Sequence, residues 1–132
     1  MLKPRNEHAC CTYQDRYVIV SGSEYQHTES ADTSEMYDTV KNTWELLPNL
    51  KEPRWGHASC AAGNKVFVFC GRSCLETAKD LASIEVLDLK NQVDGWNLLP
   101  TVHVKLRAQQ YPSAISVGRD EILILENSGN DR

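Results

Sequence analysis

The sequence predicts an all-β protein built from copies of one four-stranded antiparallel sheet, two complete and a third cut short. Three observations predict it. Trp44-Glu45-Leu46-Leu47-Pro48 returns as Trp96-Asn97-Leu98-Leu99-Pro100, an offset of 96 − 44 = 52 residues. Arg54-Trp55-Gly56-His57 echoes Arg5-Asn6-Glu7-His8, and Gly71 echoes Gly22, both at an offset of 49 (57 − 8 and 71 − 22). Each copy also holds a short apolar run: Tyr17–Val20, Val66–Phe69 and Ile122–Leu125. These runs lack the alternation of a half-exposed strand, so they suit strands covered on both faces. A period near fifty residues marks a repeat architecture.

The first copy, about 5–50, opens at Arg5 and His8. Ala9–Tyr13 reads as its first strand, Gln14-Asp15 as a turn, and Tyr17–Val20 as a β-branched second strand ending at Ser21-Gly22. Residues 23–33 are polar and acidic, the composition of a surface loop. Ser34-Glu35-Met36-Tyr37 alternates as a half-buried strand does. Lys41-Asn42-Thr43 turns the chain into a fourth strand through Trp44, which Pro48 closes because proline donates nothing to a ladder.

The second copy, about 54–102, follows the same plan. His57–Ala62 is strand one, Gly63-Asn64 a hairpin turn, Val66–Phe69 strand two. Arg72–Ala82 is a long loop, Ser83–Leu87 strand three, and Trp96–Leu98 strand four after Asp94-Gly95. Leu75, Ala78, Leu81 and Ala82 sit at helical spacing, so a short helix is the rival reading within that loop. The third copy, about 107–127, has a first strand within 110–117, a turn at Gly118-Arg119-Asp120, and a second strand at Ile122–Leu125. Its third and fourth strands are missing.

Bulk properties narrow the function. The 132 residues suffice for one domain, and a chain 41% hydrophobic and 24% charged can pack a core. Net charge is −4 and the 14 basic residues are scattered, which argues against a nucleic-acid partner. No stretch is apolar enough to span a membrane, and Met1-Leu2-Lys3-Pro4-Arg5 lacks the apolar core of a signal peptide. Five cysteines, with no Cys-x-x-Cys, read as free thiols in a reducing, cytoplasmic setting. Cys70 and Cys74 are the one spacing that suggests a redox pair. The four histidines, His8, His27, His57 and His103, show no metal-ligand spacing, and no metal or other cofactor is expected.

The Arg…His pair, the glycine after the apolar run, and Tyr37 seven residues before Trp44 together resemble the kelch repeat. The resemblance runs from about Arg5 to Asn127. The copies are degenerate: Ser21-Gly22, Cys70-Gly71 and Glu126-Asn127 stand for a glycine pair, Leu87 for the tyrosine, and Pro112 for the third histidine. The resemblance implies a partial kelch-type β-propeller with four-stranded antiparallel blades and an incomplete third blade. Second strands would then lie between neighbouring blades, and Trp44 and Trp96 would fill wedges between them. Propellers have four to eight blades, and each blade buries its faces on neighbours. Open apolar faces are therefore expected on blades one and three. Either the chain belongs to a longer one, or other subunits supply the missing blades.

For function, the resemblance implies a protein-binding scaffold or adaptor. Loops after strand two and the segments joining one repeat to the next would share one face and carry recognition. Arg72, directly after Gly71, stands where such proteins place a partner-binding arginine; Arg54, Trp55, Glu24 and Tyr25 are further candidates. Arg54 and His57 also belong to the repeating framework. A second possibility is the substrate-recognition part of a ubiquitin-ligase adaptor, in which a BTB or F-box domain precedes the propeller; nothing ahead of Arg5 in this sequence resembles one. A third is sugar chemistry, as in galactose oxidase-like or sialic acid mutarotase-like kelch proteins. No Ser/His/Asp set, converging His/Tyr ligand set or phosphate-cradling glycine loop supports it, so the expectation is binding without catalysis.

Overall fold

A computed structural model describes residues 1–24, 29–74, 79–100, 106–109 and 111–126. Strands β1 (Ala9–Tyr13), β2 (Tyr17–Ser21), β3 (Ser34–Asp38) and β4 (Thr43–Leu47) form an antiparallel sheet in chain order, blade one. Between blades, the two-residue strands β5 (Arg54–Trp55) and β8 (Arg72–Ser73) pair with each other. Blade two is β6 (Ala58–Ala62), β7 (Lys65–Phe69), β9 (Ile84–Asp88) and β10 (Asn97–Leu98). The third sheet holds only β11 (Ser113–Val117) and β12 (Glu121–Leu125). The first strands β1, β6 and β11 lie side by side, so the three sheets fan out from them as part of a propeller.

The long loop expected over 72–82 is broken by β8 and by a bridge between Arg72 and Asp80. The rival helix is not formed at Leu81 and Ala82; Leu75 and Ala78 lie outside the described residues. The strand expected within 110–117 begins only at Ser113. Pro112 has no N–H to give, and Tyr111 is turned to φ 52°, outside strand geometry.

The 49-residue offset conceals a slip. Tyr13 and Tyr17 enclose a three-residue turn, whereas Ala62 and Lys65 enclose only Gly63-Asn64. Val18 therefore corresponds to Val66, not Phe67. Blade two regains the lost residue at Cys70, an extra position at φ 58° before Gly71. Because side chains alternate, a one-residue slip decides which face each one serves.

Those faces build the core. One face of blade one presents Tyr13, Ile19 and Leu47, with Cys11, Tyr17 and Met36, to Val66, Val68, Leu87 and Trp96 of blade two. The opposite face of blade two, with Cys60, Phe67, Phe69 and Ile84, meets Ala114, Ile122 and Ile124 of blade three. Trp96 is fully buried, and its Nε1–H donates to Pro48 O at 2.9 Å and Ser34 Oγ at 3.1 Å, so it fills the wedge between blades one and two. Trp44 does not fill a wedge, contrary to expectation. It lies on the face of blade one turned away from blade two, half-buried, with its ring 4.9 Å from that of Tyr37. The second strands also differ: the inner residues of β2 and β7 are buried, but Leu123 and Leu125 of β12 are 50% and 56% exposed. All five cysteines are free. Burial pushes the Cys11 thiol up to about 11, so it is an inert packing group.

Candidate binding surface

The framework beneath the surface is a buried ion pair made twice. In blade one, Arg5 Nη2 lies 2.7 Å from Glu35 Oε1; in blade two, Arg54 Nη2 lies 2.9 Å from Glu85 Oε1. All four side chains are fully buried. Each carboxylate also accepts two backbone N–H groups: Leu2 and Lys3 at Glu35, Lys51 and Glu52 at Glu85. Burial alone would raise the Glu35 pKa, but these N–H groups and Arg5 outweigh it and hold the carboxyl below its usual range. Each arginine spends its remaining donors on loop carbonyls: Arg5 on Gly22, Ser30 and Thr33, Arg54 on Cys70 and Ser83. Arg54 is thereby removed from the set of surface candidates. Its guanidinium is enclosed, and its job is to tie β9 and the loop after β7 to the segment between blades.

His57 is equally internal. Its Nε2 is 2.9 Å from Ser21 Oγ, and a Gly22 Cβ would stand 2.6 Å from its Cε1. Burial, with Arg54, His8 and Arg5 nearby, keeps it neutral well below its usual value. Ser21 and His57 are both buried, and their contact is a packing contact.

Above this framework the loops converge on one end of the blades. Ser23 N–H donates to Arg54 O at 3.1 Å, Glu24 N–H to Asn6 O at 3.0 Å, and Gly71 N–H to Gln109 O at 2.8 Å. Gly56 N–H donates to Glu7 O at 2.9 Å, and Tyr111 N–H to Gly56 O at 2.6 Å. Glu7, Gly56 and Tyr111 thus form a ladder across three blades, at φ 52°, 57° and 52°. Left-handed backbone is easy for glycine but strained for Glu and Tyr. Held there, Tyr111 stands 50% exposed, with its ring edge-on to Trp55 at 6.2 Å between centroids. Slight desolvation, a hydrogen bond to Glu7, and the charges of Glu7 and Glu24 raise its phenol pKa.

Trp55 and Arg72 are paired across β5 and β8, and both are half-exposed. Arg72 Nη1 is 3.9 Å from Asp80 Oδ1, a loose pair with side chains 37% and 38% exposed. Glu24 is held by Asn6 Nδ2–H at 2.6 Å. So Glu24, Trp55 and Arg72 come to the same end, Arg54 lies underneath, and Tyr25 falls outside the described residues. Sequence reasoning missed Tyr111; its position one residue before Pro112, matching Gly56 before His57, was the available signal.

A concavity of about 310 Å³ lies between β1, β6 and β11, lined by Cys10, Thr12, Ser59, Cys60 and Ser116 among others. It offers hydroxyls and thiols but no charge. Among the described residues no group of three or more His, Cys, Asp or Glu could hold a metal ion.

Relatives agree with this architecture. No protein-family model matches the chain. The F-box/kelch-repeat protein SKIP30 of Arabidopsis thaliana is 32% identical over 110 residues, 80% of this chain and 29% of its own length. Another F-box/kelch-repeat protein of Arabidopsis thaliana is 29% identical over 103 residues, 73% of this chain and 26% of its own. The solved structure of YjhT, a kelch-type β-propeller, superposes with a TM-score of 0.71 at 12% identity, covering 87% of this chain and 32% of that one. The chain belongs to the kelch-repeat family. The ion pairs, glycines and wedge tryptophan are thus kelch framework, and the loop end is what the framework presents. The kelch relative of Ectromelia virus, Kelch repeat and BTB domain-containing protein 2, is 25% identical over 117 residues, 21% of its length. The chain spans about a fifth to a third of the curated relatives it matches.

Proposed function

We propose that the chain is a protein-interaction module that binds its partner at the loop end through Arg72, Trp55, Glu24 and Tyr111. One observation carries this reading: the exposed Tyr111 ring, held at left-handed φ beside Trp55, within a cluster that also places Arg72 and Glu24 at the surface. Strained backbone concentrates at functional positions, and aromatic and arginine side chains dominate protein interfaces. The F-box and BTB names among the relatives favour a more specific reading, in which the module selects substrates for a ubiquitin ligase. Nothing in the arrangement of described side chains supports catalysis.

The test is comparative capture of proteins from a host extract by wild type, Arg72→Ala, and Trp55→Ala combined with Tyr111→Ala. Proteins retained by wild type and lost with both variants are the expected result. An identical set captured by all three sinks the proposed surface. Co-capture of ubiquitin-ligase subunits with wild type separates the adaptor reading from a plain scaffold.

A further inference from the structure

The loop end gathers negative charge around a corner of two aromatic rings. Gly56 has no side chain, and Tyr111 uses the space. A Cβ on Gly56 would stand 3.2 Å from Tyr111 Cε1 and 3.4 Å from its Cζ, so the ring lies against the Gly56 backbone. The ring is thereby turned back from blade three toward blade one, where its hydroxyl donates to the Glu7 carboxylate. Trp55 meets it edge-on, with 65° between the ring planes. Glu24 joins from the loop after β2 and is fixed there by Asn6, whose Nδ2–H donates to its Oε2 at 2.6 Å. Both carboxylates act on the Tyr111 phenol. Glu7 is exposed and Glu24 half-buried. The cations described around them do not offset this charge. Arg5 is fully buried on Glu35. His8 is held below its ordinary 6.5 by burial and by Arg5, so it is neutral at pH 7. Arg72 faces Asp80. The corner is also internal to the chain: Glu7 and Glu24 belong to blade one, Trp55 and Gly56 to the segment between blades, and the Tyr111 ring points inward from the start of blade three.

Resting on the protein-interaction reading above, we propose that this corner takes an arginine or lysine side chain of the partner, its charge between Glu7 and Glu24 and its stem against the Tyr111 and Trp55 rings. A cation over an aromatic face is held by the ring quadrupole, more strongly where water is partly excluded. An arginine also pairs in plane with a carboxylate. The acceptors are not used up: an ionised carboxylate offers about four lone-pair positions, and the contacts from Asn6 and from the Tyr111 hydroxyl leave others open on Glu24 and Glu7. An acidic residue placed at the same spot would meet two like charges, so the corner selects against it.

Selection of random linear peptides displayed on phage against the immobilised chain tests this. Loop-end binders are the peptides held by wild type and lost with Trp55→Ala combined with Tyr111→Ala. They should be enriched in Arg or Lys over the input library. A synthetic copy of one should bind Glu7→Gln combined with Glu24→Gln at least about tenfold more weakly than wild type. Changing its basic residue to Ala should weaken binding to wild type by a similar factor and cause little further loss on the Gln variant. Glutamine keeps the shape of glutamate and both positions reach solvent, so the variant should keep the wild-type β-sheet circular dichroism; should the pair fail to fold, Glu7→Gln and Glu24→Gln are used singly. Loop-end binders without basic enrichment, or held equally by wild type and the Gln variant, overturn the cation proposal and leave the interaction surface standing. A selection that returns no loop-end binders overturns both.

Discussion

Arg54 Nη2 and Glu85 Oε1 sit 2.9 Å apart with neither side chain reaching solvent. Removing one member leaves a charge buried without its partner, a loss of about 3–5 kcal/mol. Arg54→Ala and Glu85→Ala should each lower stability by about that much in urea denaturation, while Arg72→Ala, in a half-exposed pair, should change it by less than about 1 kcal/mol. The double variant Arg54→Met with Glu85→Leu should lose less than the sum of the single changes, since no charge is stranded. Additive losses would show that the pair is not coupled.

The two tryptophans of the repeated motif should part company. Trp96 is fully buried and hydrogen-bonded across blades, so Trp96→Ala should cost about 3–5 kcal/mol. Trp44 is half-exposed beside Tyr37, and Trp44→Ala should cost roughly 1 kcal/mol. Thermal melts at low concentration compare them directly.

Glycine positions separate close approach from backbone conformation. At Gly22, φ +70°, a Cβ would collide with Arg54 O and come within 2.6 Å of His57 Cε1. Gly63, at φ +57°, has nothing within 4 Å. Gly63→Ala should cost only the left-handed conformational penalty, about 1–2 kcal/mol. Gly22→Ala adds a backbone collision and should be markedly worse. Equal midpoints in urea would refute the close approach.

Acid should act in two stages. Folded His57 takes a proton less readily than an unfolded histidine of ordinary pKa 6.5. The unfolded state therefore binds the extra proton, and the His57 contribution is complete above about pH 6.5 and lost as pH falls from there toward the depressed folded value. Glu35 and Asp38 are also lowered in the fold, from 4.5 and 3.8, so their contributions are lost as pH falls below those values. Stability measured in urea should decline from pH 6.5, and His57→Gln should reduce that first stage, leaving the part that His8, also lowered by burial and by Arg5, contributes. A wild-type curve level down to pH 4.5 would contradict the buried neutral histidine.

Much of this was legible in the residues. Val18 to Val20 and Val66 to Phe69 announce strands because β-branched and aromatic runs suit a pleated, covered surface. The recurrence of Trp-x-Leu-Leu-Pro places them in a repeat. Glu35 and Glu85 stand 50 residues apart (85 − 35) in corresponding strands, yet nothing in one dimension says that Arg5 and Arg54 are the groups they meet. Arg54 was at once a surface candidate and a member of the repeating framework, and its full enclosure decides for the framework. Tyr111 escaped because left-handed backbone is announced by glycine, and here it is imposed on a tyrosine by the hydrogen bond to Gly56.

The residues by themselves determined the strands, their order within each blade, and the kelch repeat, since these follow from local preference and periodicity. Tertiary structure alone decided which face of each blade meets the next. A three-residue turn in one copy and a two-residue turn in the other shift the pleat by one, and a single step along a strand exchanges its buried side for its open one. Trp44 and Trp96 lie on the same face of their blades; Trp96 is enclosed because blade one covers that face of blade two, and Trp44 is half-open because among the described residues no blade covers that face of blade one.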